Sequence, residues 1–133
     1  MATDRTGFPL MSGGMCLTAR DLARYGLLLA RRGLGVDGRQ VGDPAFIGET
    51  LKGGIQMPAP RAHLRYSNQT NTNGRWIGHG GYGGQYLLVD MSTGTVGVYL
   101  SVLQDANGYD AAFYPPVIRM LAEICEGGEQ GPG

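Results

Sequence analysis

The residues best suited to chemistry stand in one run, Gly78-His79-Gly80-Gly81-Tyr82-Gly83-Gly84-Gln85, which leads into the apolar stretch Tyr86-Leu87-Leu88-Val89-Asp90. Glycine loses the most freedom on folding and gives a strand nothing to pack, so five glycines between 78 and 84 are costly. Such a run persists where something must approach the backbone closely. A bulged edge strand and the wall of an active site both fit that description. His79 can orient an anionic or polar group of a substrate, or its ring can hydrogen-bond within the strand. His63 is the only other histidine. Two imidazoles, with no thiolate or carboxylate at ligand spacing, do not make a zinc site, and the sequence implies no metal or cofactor.

Other chemistries meet obstacles in the spacing. Gly78 to Gly83 satisfies G-x-G-x-x-G literally, but a dinucleotide fingerprint must open a helix whose N-terminus faces the pyrophosphate. Here a strand follows. No G-x-S-x-G elbow is present. An S-x-x-K pair needs a serine three residues before a lysine; Lys52 is the only lysine, and Glu49 occupies that position. Tyr66-Ser67-Asn68 has the form of the Y-x-N triplet of hydrolases that use tyrosine as a base. The acidic residues are scattered and read as caps and turns, not as a catalytic pair.

The elements that must carry these residues follow from local signals. Thr18, with Asp21 three residues on, starts a helix in the manner of a capping box. Leu22, Tyr25, Leu28 and Leu29 give it one apolar face over residues 19–32, and Gly33 stops it. Residues 35–42 form a turn, with a small hairpin around Asp37-Gly38. Asp43-Pro44 opens a short second helix. Residues 53–75, rich in Gly, Pro and Asn, read as loop. Gln85 to Asp90 and Thr95 to Val102 form a hairpin through Met91 to Gly94, with a weaker third strand over 75–82. A turn at Asp105 to Gly108 precedes a terminal helix over 115–125, introduced by Pro115-Pro116, and residues 127–133 read as a disordered tail. Helix, helix, loop, antiparallel strands and helix make an α+β pattern, with a partial domain over 1–126. Two or three strands with one long helix are thin for an independent core.

Composition narrows the partners. The 133-residue chain carries eleven basic and eleven acidic side chains, so its formal net charge is zero and neither nucleic acid nor a membrane surface is expected as a partner. No apolar run approaches the roughly 20 residues of a membrane span. The first residues lack the basic-then-apolar build of a signal peptide, so a cytoplasmic location is expected and the sequon Asn68-Gln69-Thr70 carries no meaning. Cys16 and Cys125 fit no metal or redox spacing and read as reduced, packed thiols.

Two stretches carry a family resemblance. Gly13-Gly14-Met15-Cys16-Leu17-Thr18-Ala19-Arg20-Asp21-Leu22-Ala23-Arg24-Tyr25-Gly26 resembles the G-G-[LM]-x-x-T-x-R-D-[LM]-A-[RK]-[FY]-G helix of class C β-lactamase-like serine hydrolases, nearest to their 6-aminohexanoate-dimer hydrolase and esterase branch. His79-Gly80-Gly81, then Gln85 and Val89-Asp90, resembles that family's third motif, K-T-G or H-x-G, and the strand after it. The resemblance implies the C-terminal part of a β-lactamase/DD-peptidase α+β fold, an antiparallel sheet flanked by helices. It implies that the S-x-x-K nucleophile and the Y-x-N base lie upstream, which makes Tyr66-Ser67-Asn68 a decoy.

By the same resemblance the backbone N–H of Tyr82 is one of two oxyanion donors, and Gly80 and Gly81 let a small amide or ester substrate lie against the strand. His79 replaces the lysine of K-T-G, exchanging a permanent cation for a residue type largely neutral at pH 7. That favours esters or amides of small acids over penicillins. The chain is expected to be inactive alone; a non-catalytic binding or vestigial domain and a self-standing hydrolase using Ser67 and Tyr66 are the alternatives. A truncated sheet is expected to self-associate.

Overall fold

The computed structural model describes residues 3–8, 15–102 and 112–127. Thr18 caps the first helix, α1 (Ala19–Ala30), as its spacing predicts. Its hydroxyl accepts from the Asp21 N–H at 3.1 Å and donates to the Asp21 carboxylate at 2.7 Å. The end of α1 departs from expectation. The Arg32 N–H bonds the Leu29 carbonyl at 2.9 Å and the Gly33 N–H bonds that of Leu28 at 2.8 Å, a Schellman pattern with Arg31 as the cap. Arg32, not Gly33, therefore takes the first left-handed position (φ 53°), and Gly33 follows at φ 83°. A Cβ on Gly33 would collide with the backbone of Gly42, so this glycine is required by close approach as well.

The small hairpin around Asp37-Gly38 is present, closed by a bridge between Leu34 and Gln40. Asp43 caps α2 (Pro44–Lys52), accepting from the Ala45 N–H at 2.8 Å with Pro44 in the first turn. Residues 53–75, read as loop, instead contain three short strands, β1 (Ile55–Gln56), β2 (Arg65–Ser67) and β3 (Thr70–Thr72). They are two or three residues long and mostly polar, so no apolar alternation reveals them. Tertiary bonds to α2 hold β2 and β3: the Thr72 hydroxyl donates to the Leu51 carbonyl at 2.8 Å, and the Arg65 guanidinium reaches the Leu51 and Lys52 carbonyls. These are carbonyls of the last turn that α2 cannot satisfy internally.

The remaining strands are β4 (Trp76–Gly81), β5 (Gln85–Asp90) and β6 (Val96–Tyr99), the last shorter than the expected 95–102. All six pair antiparallel in sequence order, so the sheet is a meander and not the two- or three-stranded piece expected. α3 (Tyr114–Gly127) runs past the expected 115–125 and takes in Gly127. The turn expected at 105–108 and the tail beyond 127 lie outside the described residues.

Strand alternation divides the core between two faces. Trp76, Tyr86 and Leu88 pack with Tyr114, Val117, Ile118, Leu121 and Cys125 of α3. Ile77 packs on the other face with Ile47 and Leu51 of α2 and with Leu29 of α1. The result is three layers, α1 and α2 on one side of the sheet and α3 on the other. Gly26 lets α1 sit close, since a Cβ there would meet Val96 Cγ1 at 2.5 Å. Both cysteines are free. Cys125 is buried as expected, whereas Cys16 is exposed and not packed.

Candidate functional site

His79 sits on β4 opposite Leu87, Gly80 opposite Tyr86 and Gly81 opposite Gln85. Alternation sends Gly78 and Gly80 toward α3, and Ile77 and His79 toward α1 and α2. On the α3 side there is no spare room at the glycines. A Cβ on Gly78 would meet the Tyr86 ring at 2.9 Å, and one on Gly80 would meet the Tyr114 ring at 2.8 Å. Much of the glycine cost in this strand is thus offset by two aromatic rings lying against its backbone.

The turn after β4 is braced from two sides. Gly83 and Gly84 adopt φ 89° and 91°, which only glycine does without strain. The Ser101 hydroxyl lies 2.9 Å from the Gly83 carbonyl and 3.1 Å from that of Gly84, and the Gln85 side-chain amide donates to the Ser101 carbonyl at 2.9 Å. The Gly81 carbonyl accepts from the Tyr114 hydroxyl and, at 3.3 Å, from the Gly84 N–H. A trans peptide is planar, with its N–H opposed to its C=O. Holding the Gly81 oxygen toward Tyr114 therefore aims the Tyr82 N–H away from α3. The Tyr82 residue itself is 72 % exposed.

On the α1 and α2 side, His79 is exposed and borders a groove of about 790 Å³. Its walls are Met15, Leu17, Leu22 and Tyr25 from α1 and the segment before it, Phe46 from α2, and Ile77 and Leu87 from the sheet. Asn68, Gln69, Thr70, Gln85 and Asp21 supply the polar positions. The hydrogen bond from the Thr18 hydroxyl, with help from Arg24 at 2.8 Å, holds the Asp21 carboxyl below the usual carboxylate range. The groove is mostly apolar with a few polar groups, the composition of ligand clefts. His79 also borders a second groove on the α3 side. His63 is exposed in the segment before β2 and lines neither groove.

Tyr66-Ser67-Asn68 is built as a hairpin, not as a catalytic group. Asn68 and Gln69 are the two residues of the turn joining β2 to β3, both left-handed at φ 45° and 63°. Tyr66 is exposed and Ser67 buried, as neighbours on a strand facing opposite sides must be. Tyr66 cannot serve Ser67 as a base from there. Asn68 instead donates to the Thr50 hydroxyl at 2.9 Å, tying the turn to α2.

A family model described as Beta-lactamase matches residues 2–114. The chain belongs to the beta-lactamase family. No curated protein matched it. The six-stranded antiparallel sheet with three helices is the α+β fold expected of a beta-lactamase-like chain. Of the first motif in this beta-lactamase family chain, Gly13 and Gly14 lie outside the described residues. Thr18 and Asp21 are its helix cap, and Gly26 is its contact with β6. Asp90, at the end of the second motif, is structural as well. It accepts from Arg75 Nε at 2.8 Å and from the backbone and hydroxyl of Ser92 at 2.8 and 2.6 Å, closing the β5–β6 turn. Burial pushes its carboxyl up, but the bonds from Ser92, Arg75 and Thr93 outweigh it and leave the pKa lowered.

Sequence reasoning missed Tyr114, which stands 33 residues from the carbonyl it holds. Its only signal is an aromatic ring just before Pro115-Pro116. Among the described residues, no three His, Cys, Asp or Glu side chains gather as a metal site. No helix of the described residues is long and apolar enough to cross a membrane.

Proposed function

We propose that this chain is the oxyanion-strand portion of a serine hydrolase that transfers the acyl group of a small amide or ester. The observation that carries the reading is the locked Gly81–Tyr82 peptide, whose N–H is aimed away from the α3 face by the Tyr114 hydroxyl bond. A tetrahedral oxyanion formed by serine attack takes one hydrogen bond from the Tyr82 N–H and one from the backbone N–H of the attacking serine. Such donors, fixed before the reaction, lower the barrier because they need no reorganisation, and losing one typically costs about 10²–10³ in rate. His79 orients the polar end of the substrate, and Gly80 and Gly81 leave the strand backbone within its reach. The apolar walls of the groove suit an acyl chain or an ester group without charge.

The nucleophile and its base come from an S-x-x-K and a Y-x-N segment on an N-terminal portion, as in the class C β-lactamase-like and 6-aminohexanoate-dimer hydrolase branch. The chain alone is inactive on this reading. Glu49 in place of a serine before Lys52, and the opposed faces of Tyr66 and Ser67, support that statement.

Intact mass after a fluorophosphonate probe, with turnover of p-nitrophenyl butyrate, tests it. The isolated chain is expected to give neither adduct nor turnover. The same chain joined to an N-terminal segment bearing S-x-x-K is expected to give both, with the adduct on that serine. A stoichiometric adduct on Ser67 of the isolated chain overturns the reading. A joined protein that folds and stays inert favours the second reading, a binding domain that keeps only the groove.

A further inference from the structure

The opposite side of the sheet carries a second opening of about 560 Å³, bordered like the first groove by His79 and within the roughly 300–1,000 Å³ of small-molecule sites. Met57 and Ile118 supply apolar wall, and Tyr66, Tyr86 and Tyr114 supply aromatic wall. Asn71 projects to this side, because its neighbour Thr72 faces α2. Its carboxamide is incompletely used. Nδ2 donates to the Tyr86 hydroxyl at 3.3 Å, a long bond, while Oδ1 is buried with no hydrogen-bond partner among the described residues. A buried acceptor left unpaired is costly, and native structures rarely keep one without a reason. Asn71 lines the opening, and the long bond to Tyr86 is all that engages its carboxamide among the described residues. Burial meanwhile keeps the Tyr86 phenol protonated well above its usual range, so that hydroxyl is neutral at any working pH.

We propose that this opening is a second small-molecule site, taking an uncharged ligand with an apolar body and one amide-type N–H that donates to Asn71 Oδ1. Arg61 borders the same opening and its charge is felt at Tyr86, so a cationic donor is disfavoured and a neutral amide preferred. The site opens on the other side of the sheet from the proposed catalytic groove and meets it at His79, and reading it out requires no turnover.

Titration of the 15N-labelled 133-residue chain with acetanilide and with phenylacetone, its isostere without the N–H, tests the proposal. Acetanilide is expected to move the backbone signals of Tyr66, Asn71 and Ile118 and the side-chain amide signals of Asn71. The ketone is expected to bind about tenfold more weakly, the loss of one hydrogen bond, and benzylammonium more weakly still. Asn71→Ala is expected to bring acetanilide down to the affinity of the ketone. Met57→Trp fills the opening but keeps the acceptor, and is expected to abolish both; it decides the matter where Asn71→Ala does not fold. Equal affinity of wild type for amide and ketone overturns the proposal. So do shifts confined to Leu22, Tyr25 and Phe46, which line the first groove and not this opening, or no shifts at all.

Discussion

Single hydroxyl and carboxylate groups set the geometry of the β4 turn and of the β5–β6 turn. Tyr114→Phe removes one hydroxyl and takes from the Gly81 carbonyl its bond to α3, leaving the turn bond to Gly84 in place. The expected loss of stability is about 1 kcal/mol, measured by urea unfolding. In a protein completed by a nucleophile, kcat is expected to fall and KM to hold, because the looser peptide affects the transition state more than substrate binding. An unchanged kcat would detach Tyr114 from the proposed oxyanion donor. Asp90 gives a pH signature. Its folded pKa is depressed, so its contribution is fully present above the unfolded carboxylate value of about 4 and is lost as pH falls through the folded value. The stability gap between wild type and Asp90→Asn is therefore expected to be widest near pH 6 and to shrink below pH 4. A gap constant across that window would assign the turn's stability to groups other than this carboxylate.

At the scale of elements, Gly26 shows how a helix motif encodes packing. Alanine is the better helix former by about 1 kcal/mol, yet its methyl would stand 2.5 Å from Val96 Cγ1 and 3.1 Å from Leu87 Cδ1. Gly26→Ala is expected to destabilise by about 1–3 kcal/mol. Val96→Ala in the same chain is expected to recover part of that, so the two changes are non-additive; strict additivity in thermal or urea unfolding would refute the contact. The helices were legible because their signals are local: Thr18 with Asp21, and Asp43 with Pro44. The hairpin Gln85 to Tyr99 was legible because a continuous apolar run and a second β-branched stretch flank a tight turn. β2 and β3 were not, since their polar residues make sense only against the carbonyls of α2, which no window along the chain contains. The resemblance reads Tyr66-Ser67-Asn68 as a decoy, and the strand supplies a physical reason: Tyr66 and Ser67 face opposite sides of the sheet.

At the scale of the whole molecule, the candidate positions can be named from the sequence and their surroundings cannot. The glycine run and the family resemblance single out His79, Gly80 and Gly81 as candidates, whereas the groove beside them needs Met15, Tyr25 and Phe46, which only the fold brings together. That groove also leaves large apolar side chains open, with Met15, Tyr25 and Phe46 each more than half exposed. Among the described residues the sheet ends at β1 and β6 without further partners, and unpaired edges template pairing with another chain. Zero net charge removes the repulsion that would keep copies apart. The isolated chain is therefore expected to self-associate near neutral pH, with the weight-average mass in sedimentation rising with concentration. Raising the pH to 9 should reduce the association by giving every copy the same sign of charge. Adding moderate salt at pH 7 should not reduce it, because the contact is apolar and not ionic. A stable ideal monomer across the concentration series would mean that the open groove and both edges are tolerated in water as they stand.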